Sequence, residues 1–359
     1  MTIFFLTAFL TWLLVTWGIA RFVLSGKDHS NYDTSVEQAA SQLFDEHADD
    51  QAANQRILQT IRAVRKKALS SGSPFKAFRI VREFADSLSD DLESDCTFTD
   101  VSVGAVSCEW IVAPGVDTRR RVLFHHGGAF VLGSPKGHRR FGHALSHAAK
   151  AAVLSVNYRK LPEHARFKGI KDAQLAYQHI LKNGPDGAAE ANFLLLAGDS
   201  AGGNLAMMLS AWSRDEGLRK PNGVIGFSPS LDMTARSPTM QANLKTDPIL
   251  GQGIGLALSI PYMFAAWLTL FAIRMNAANK QASPLFNSLE GLPKTLIQAS
   301  TSEVLVGESV RYVNKAREAG SDVTFQVWRN QLHDWQLFNY GYGSANLAWQ
   351  EVEKFIRSL

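Results

Sequence analysis

The sequence predicts an α/β fold: a mostly parallel central sheet flanked by helices, with a helical cap. Two observations predict it. Short apolar runs alternate with helix-forming segments from about residue 97 onward. Two of those runs also end directly in glycine-rich turns that carry reactive side chains. A length of 359 residues suffices for one such domain with a large core plus a cap.

The strand-like runs lie at 101–106, 109–113, 121–125, 152–157, 193–198, 223–227, 295–299 and 323–327. Residues 102–110 read as a short antiparallel meander ahead of the parallel strands. The pattern contains no internal repeat and no low-complexity linker.

The run 193–198 leads into Gly198-Asp199-Ser200-Ala201-Gly202-Gly203-Asn204, and a helix-forming segment follows. Gly-x-Ser-x-Gly between a buried strand and a helix is the context of a strained turn that exposes a serine hydroxyl. Gly198 and Gly202 lack the Cβ that would clash where strand and helix approach. Taken alone, the pentapeptide also fits a plain glycine-rich turn with a surface serine.

Two further segments weigh against that plain turn. Upstream, 121–125 runs into His125-His126-Gly127-Gly128-Ala129-Phe130. Acyl transfer passes through an oxyanion that needs preorganised N–H donors. The amides of Gly127, Gly128 and Ala129, with that of Ala201, are the candidates. His125 and His126 point to opposite faces of a strand, so they make a poor ligand pair for one metal ion. Downstream, Glu303 follows the run 295–299 and His333 follows the run 323–327. A serine is a weak nucleophile until a base takes its proton. His333 is the only histidine after Ser200, and Glu303 is the carboxylate that would fix its tautomer. The chain order is serine, acid, histidine.

On these motifs the chain resembles the hormone-sensitive-lipase-like branch of the α/β-hydrolases, the bacterial family IV esterases. The resemblance runs from about residue 97 to the C-terminus. It rests on His126-Gly127-Gly128-Ala129-Phe130, on Gly198–Asn204, on Tyr158-Arg159-Lys160-Leu161-Pro162-Glu163-His164 and on Ala282-Ser283-Pro284-Leu285-Phe286. It implies an α/β-hydrolase fold and a serine carboxylic-ester hydrolase acting on lipophilic esters through an acyl-enzyme. Ser200, Glu303 and His333 would be catalytic, and Gly127, Gly128, Ala129 and Ala201 would form the oxyanion hole. Glu303 stands where the family usually keeps aspartate, which makes Asp247 and Asp232 fallback acids. This chemistry requires neither a metal nor an organic cofactor. A lactone or amide substrate fits the same triad, because specificity lives in the cap. A catalytically silent receptor on this fold would typically lack the serine or the histidine, and both are present.

Residues 2–20 carry no charge and are rich in Phe, Leu and Trp, about the length a bilayer requires. The expectation is a single membrane anchor over residues 1–24, with a signal peptide as the alternative. Arg21 and Lys27 follow it, which places the catalytic domain in the cytoplasm by the positive-inside rule. The alternative is an exported, periplasmic enzyme. Residues 25–95 then form the N-terminal helical part of the cap, and residues 96–359 the catalytic domain, with a cap insertion at about 235–280. The uncharged stretch 248–273 within that insertion reads as an apolar cap helix pair, as a surface that dips into a membrane, or, least favoured, as a second span. A net charge of +4 with no aromatic-basic pattern gives no support to nucleic-acid binding. The two cysteines, Cys96 and Cys108, could approach across a hairpin, and register decides whether they do. The sequence does not fix the oligomeric state.

Overall fold

A computed structural model describes residues 2–359. Its strands are β1 (Gln42–Phe44), β2 (Thr97–Val103), β3 (Val106–Val112), β4 (Asp117–His125), β5 (Ala151–Val156), β6 (Asn183–Gly184), β7 (Gly187–Ala188), β8 (Phe193–Asp199), β9 (Gly223–Phe227), β10 (Lys294–Ser300) and β11 (Val323–Trp328). Nine of them form one sheet in the order β1-β11-β10-β9-β8-β4-β5-β3-β2, and β6 and β7 pair separately. The ladders from β1 through β4 to β5 are parallel. The meander expected at the start is present, since β3 pairs antiparallel with both β2 and β5.

The helices are α1 (Thr2–Ile19), α2 (Val36–Ala39), α3 (Asp50–Leu69), α4 (Pro74–Asp86), α5 (Arg139–Ala149), α6 (Arg166–Lys182), α7 (Ser200–Asp215), α8 (Thr239–Ala242), α9 (Gly251–Leu258), α10 (Tyr262–Ile273), α11 (Val306–Glu318), α12 (Trp335–Phe338) and α13 (Gly343–Arg357). The central strands are continuous apolar runs because both of their faces are covered. In β8, Leu194 and Leu196 join the core under α6, α7 and α11, while Leu195 and Ala197 join the core under α5 and α13. The alternation is the period-two geometry of a strand sandwiched between helix layers.

The structure corrects one boundary and adds one strand. The run expected as one strand at 101–106 is broken by a two-residue turn at Gly104-Ala105, with Gly104 at φ +60°. Valines continue on both sides of the glycine, so hydropathy alone does not mark the turn. The short β1 was not expected. It pairs with β11 from within the N-terminal segment, Leu43 opposite Val327. The β2–β3 register sets Cys108 opposite Val101, whereas Cys96 precedes β2. The two thiols are therefore well apart along the hairpin, and both are free.

The expected membrane anchor is only partly matched. Residue 1 lies outside the described residues. Among those described, no single helix is long and apolar enough to cross a membrane, and the apolar helical stretch Phe9–Leu24 is shorter than a span. The last turn of that stretch, Ala20–Leu24, is π-helical. This turn packs on α10; Trp267 Nε1 of α10 donates to Thr16 O of α1 at 3.3 Å, and Asn276 Nδ2, just beyond α10, donates to Val23 O at 3.1 Å. Nor is the stretch 248–273 one continuous helix. It divides into α9 and α10, bent by 118° at the Pro261 break.

Candidate active site

β4 and β8 lie side by side, with His125 opposite Gly198. Their C-terminal ends therefore bring the two glycine-rich turns together. Ser200 opens α7 with φ +49°, a left-handed conformation costly for a residue with a Cβ. Close packing holds it there. A Cβ on Gly202 would lie 1.8 Å from His125 O, and one on Gly198 would lie 2.4 Å from the Gly202 carbonyl carbon. Only glycine lets strand, turn and helix approach this closely.

Glu303 and His333 follow the adjacent strands β10 and β11, so the sheet delivers both to the edge of the same turn. His333 Nε2 lies 2.9 Å from Ser200 Oγ, and His333 Nδ1 lies 2.8 Å from Glu303 Oε2. The other carboxylate oxygen of Glu303 accepts from Ser300 N at 2.7 Å and from Ser228 Oγ at 2.8 Å. Glu303 is fully buried, and Ser200 and His333 nearly so. Burial raises the Glu303 carboxyl above its ordinary value, against the pull of His333. For His333, burial favours the neutral ring, but Asp334 and then Glu303 outweigh it and hold the imidazole pKa well above the ordinary histidine value.

The fallback acids lie elsewhere. Asp247 accepts the amides of Ile249, Leu250 and Val304, and Asp232 bonds to Thr234. Glu303 alone of the three meets His333.

The oxyanion donors expected from the sequence divide into two groups. The Gly127 amide is not free: it donates to Asp199 Oδ1 at 3.0 Å. A Cβ on Gly127 would fall 2.1 Å from Asp199 Oδ2, which is why this position must be glycine. The amides of Gly128 and Ala129 meet no acceptor among the described residues. Both residues have positive φ, +106° and +53°. Ala201 sits in the first turn of α7, where helix geometry leaves amides unpaired. His125 and His126 are walls of this turn. Burial keeps both neutral, with His125 lowered to about 3, and His126 stacks on Tyr158 with ring centroids 4.4 Å apart.

Two buried neighbours of the site carry no signal in the sequence. Asp334 Oδ2 lies 3.1 Å from His333 Nε2, on the nitrogen that faces Ser200. Asp334 adopts φ +56°, which returns its side chain toward the preceding histidine. Burial pushes its carboxyl up to about 7. His138, which precedes Ser200 in the chain, lies with Nε2 3.4 Å from Asp199 Oδ2. Burial disfavours its charge, but Asp199 outweighs the burial and the pKa is raised.

A buried serine, histidine and carboxylate in line beside unpaired backbone amides is an arrangement suited to acyl transfer. Comparison with known proteins agrees. Residues 122–337 match the α/β-hydrolase fold family model. The chain is 32% identical to an esterase of Acinetobacter venetianus, over 67% of this chain and 75% of that protein. It is 32% identical to the carboxylesterase/phospholipase LipF of Mycobacterium tuberculosis, over 72% of this chain and 68% of that protein. A solved esterase of the bacterial hormone-sensitive lipase family superposes with a TM-score of 0.70 at 28% identity, covering 84% of this chain and 97% of that one. The chain belongs to the α/β-hydrolase fold family, in its hormone-sensitive-lipase-like branch of bacterial esterases, and is an ester-bond hydrolase.

Proposed function

We propose that the protein hydrolyses lipophilic carboxylic esters through an acyl-enzyme on Ser200. The hydrogen-bonded line from Ser200 Oγ through His333 to Glu303 carries this reading. His333 takes the Ser200 proton as Oγ attacks the carbonyl carbon. The oxyanion settles against the amides of Gly128, Ala129 and Ala201. His333 then protonates the departing alcohol, and a water molecule repeats the sequence to release the acid. Glu303 holds the tautomer that leaves Nε2 free to accept. Gly127 acts indirectly, by tying the loop to Asp199. The test is hydrolysis of p-nitrophenyl acyl esters of graded chain length by wild type and Ser200→Ala. Wild type should turn over, with a preference for acyl chains longer than acetyl. Equal rates for the two proteins would overturn the mechanism, and acetyl as the best substrate would overturn the lipophilic specificity.

The apolar cap favours such substrates and a membrane setting. We assign the cap to residues 25–95 and about 235–280. Its α9–α10 pair leaves Leu256, Phe264, Leu268 and Phe271 exposed, and Trp12, Trp17 and Phe22 of the N-terminal helical stretch are exposed too. Isolated exposed apolar residues are ordinary, but so many on elements that pack together, α10 on Ala20–Leu24, suit an interaction surface. On α3, Arg62 and Arg65 lie near α9, and Arg65 hydrogen-bonds Gln252. Cations beside an apolar face suit anionic headgroups above acyl chains. In this reading the N-terminal helix and the cap bind the membrane together, with the catalytic domain on the cytoplasmic side.

A further inference from the structure

We propose that Asp95, Cys96, His143 and His147 form a zinc site that clips the segment before β2 to helix α5. Away from the catalytic turn, the four donor atoms of these residues all lie within 4.8 Å of one another. His143 and His147 are one turn apart on α5, so both project from the same face. Asp95 and Cys96 come from the chain that passes over that face. Cys96 Sγ is 3.5 Å from His143 Nδ1 and 3.9 Å from His147 Nε2. Asp95 Oδ1 is 2.8 Å from His147 Nε2 and 3.8 Å from His143 Nδ1.

These separations suit one tetrahedral ion. Bonds of about 2.0–2.3 Å to nitrogen, oxygen and sulfur place tetrahedral ligand atoms about 3.3–3.8 Å apart. Three of the four distances above fall in or within about 0.1 Å of that window, and the Asp95–His147 pair would open as both atoms turned to the ion. One thiolate, two imidazoles and a carboxylate form a borderline donor set that suits zinc better than calcium or magnesium, which take oxygen ligands. Cys96 is buried while Asp95 and His147 are exposed, so an ion could enter from solvent and close over the sulfur. On binding, the Cys96 thiol proton passes to solvent and the thiolate takes its place on the ion. None of the four residues bonds to Ser200, Glu303 or His333.

The site has a mechanical role. Neighbouring contacts already join the same two pieces: Arg140 N donates to Ser89 Oγ at 3.3 Å, and Arg140 Nη2 bonds Asp91 Oδ1 at 2.6 Å. A metal clip would fasten residues 88–96 to α5, whose leading end carries His138 against Asp199.

Tag-free full-length protein, stripped with chelator and titrated with Co²⁺, provides the test. The expected result is one Co²⁺ per chain with visible bands of tetrahedral cobalt and a near-ultraviolet thiolate charge-transfer band, all bleached by Zn²⁺. Cys96→Ser should abolish the charge-transfer band. His147→Ala, at an exposed position, should weaken Co²⁺ binding by at least about tenfold while leaving ester hydrolysis intact. Absence of the charge-transfer band in wild type, or its persistence in Cys96→Ser, would overturn the proposal, as would equal Co²⁺ affinity in wild type and His147→Ala.

Discussion

Asp334 Oδ2 and His333 Nε2 lie 3.1 Å apart, although the two residues are chain neighbours. The same nitrogen faces Ser200 Oγ at 2.9 Å. A second carboxylate thus bears on the imidazole from the Ser200 side, opposite Glu303. Both acids favour the imidazolium, which cannot accept a proton from serine.

The first consequence is a pH effect. In the proposed mechanism only neutral His333 acts as base, so kcat/KM should rise with pH through the histidine pKa, which the two acids hold above its ordinary value. Asp334→Asn removes one negative charge, favours the neutral ring and moves this limb to lower pH, by about one unit or more. Rate profiles of both proteins on one soluble ester measure the shift. An unmoved limb would show that Asp334 does not act on the base.

Glu303→Gln should lower kcat by about three to four orders of magnitude with little loss of stability. The carboxylate serves two groups of donors at once: Ser300 N and Ser228 Oγ on one oxygen, and His333 Nδ1 on the other. Glutamine has a single acceptor oxygen. Either its amide turns an N–H toward His333, imposing the wrong tautomer, or it loses the Ser300 and Ser228 bonds. Comparable kcat in Glu303→Gln and wild type, with Asp247→Asn inactive, would transfer the role to Asp247.

The two ends of the oxyanion turn should respond differently. Ala129→Gly keeps the amide and relieves a left-handed alanine, so activity should persist and stability change by no more than about 1 kcal/mol. Gly127→Ala drives a Cβ into the Asp199 carboxylate and should cost at least about a hundredfold in kcat through displaced donors. Steady-state kinetics with thermal melts separates the two effects.

Membrane attachment is measurable by flotation with vesicles. The full chain should float with vesicles containing anionic lipid, and less with neutral ones, each nearby cation contributing about 1 kcal/mol. Leu268→Asp with Phe271→Asp should reduce flotation and leave hydrolysis of a short soluble ester unchanged. Flotation indifferent to these changes would confine attachment to the N-terminal helix.

The sheet and the meeting of Ser200, His333 and Glu303 are legible in the sequence because their signals are local. Runs such as Leu194-Leu195-Leu196 must be buried on both faces, and the glycines around Ser200 have no other steric purpose. What stayed hidden depends on long-range placement or a local dihedral. Nothing around Asp334 announces the positive φ that turns its carboxylate onto His333. The Gly127 amide looks identical in sequence to that of Gly128, and only Asp199 beside it separates their roles. The β2–β3 register sets Cys108 opposite Val101, and Cys96, outside that ladder, lies against α5 instead. Three residues opening on glutamine give too short a pattern for β1 to be read as a strand.

That short strand has a consequence for handling the protein. β11 carries Val323, Phe325 and Val327 in the core, and β1 caps its outer ladder. A version trimmed of its first 45 or so residues to improve solubility would leave this apolar strand as a bare edge, open to pairing with another chain. Trimming should therefore favour aggregates that grow through β11, so a soluble version should keep residues 42–44 even if the apolar helix before them is removed.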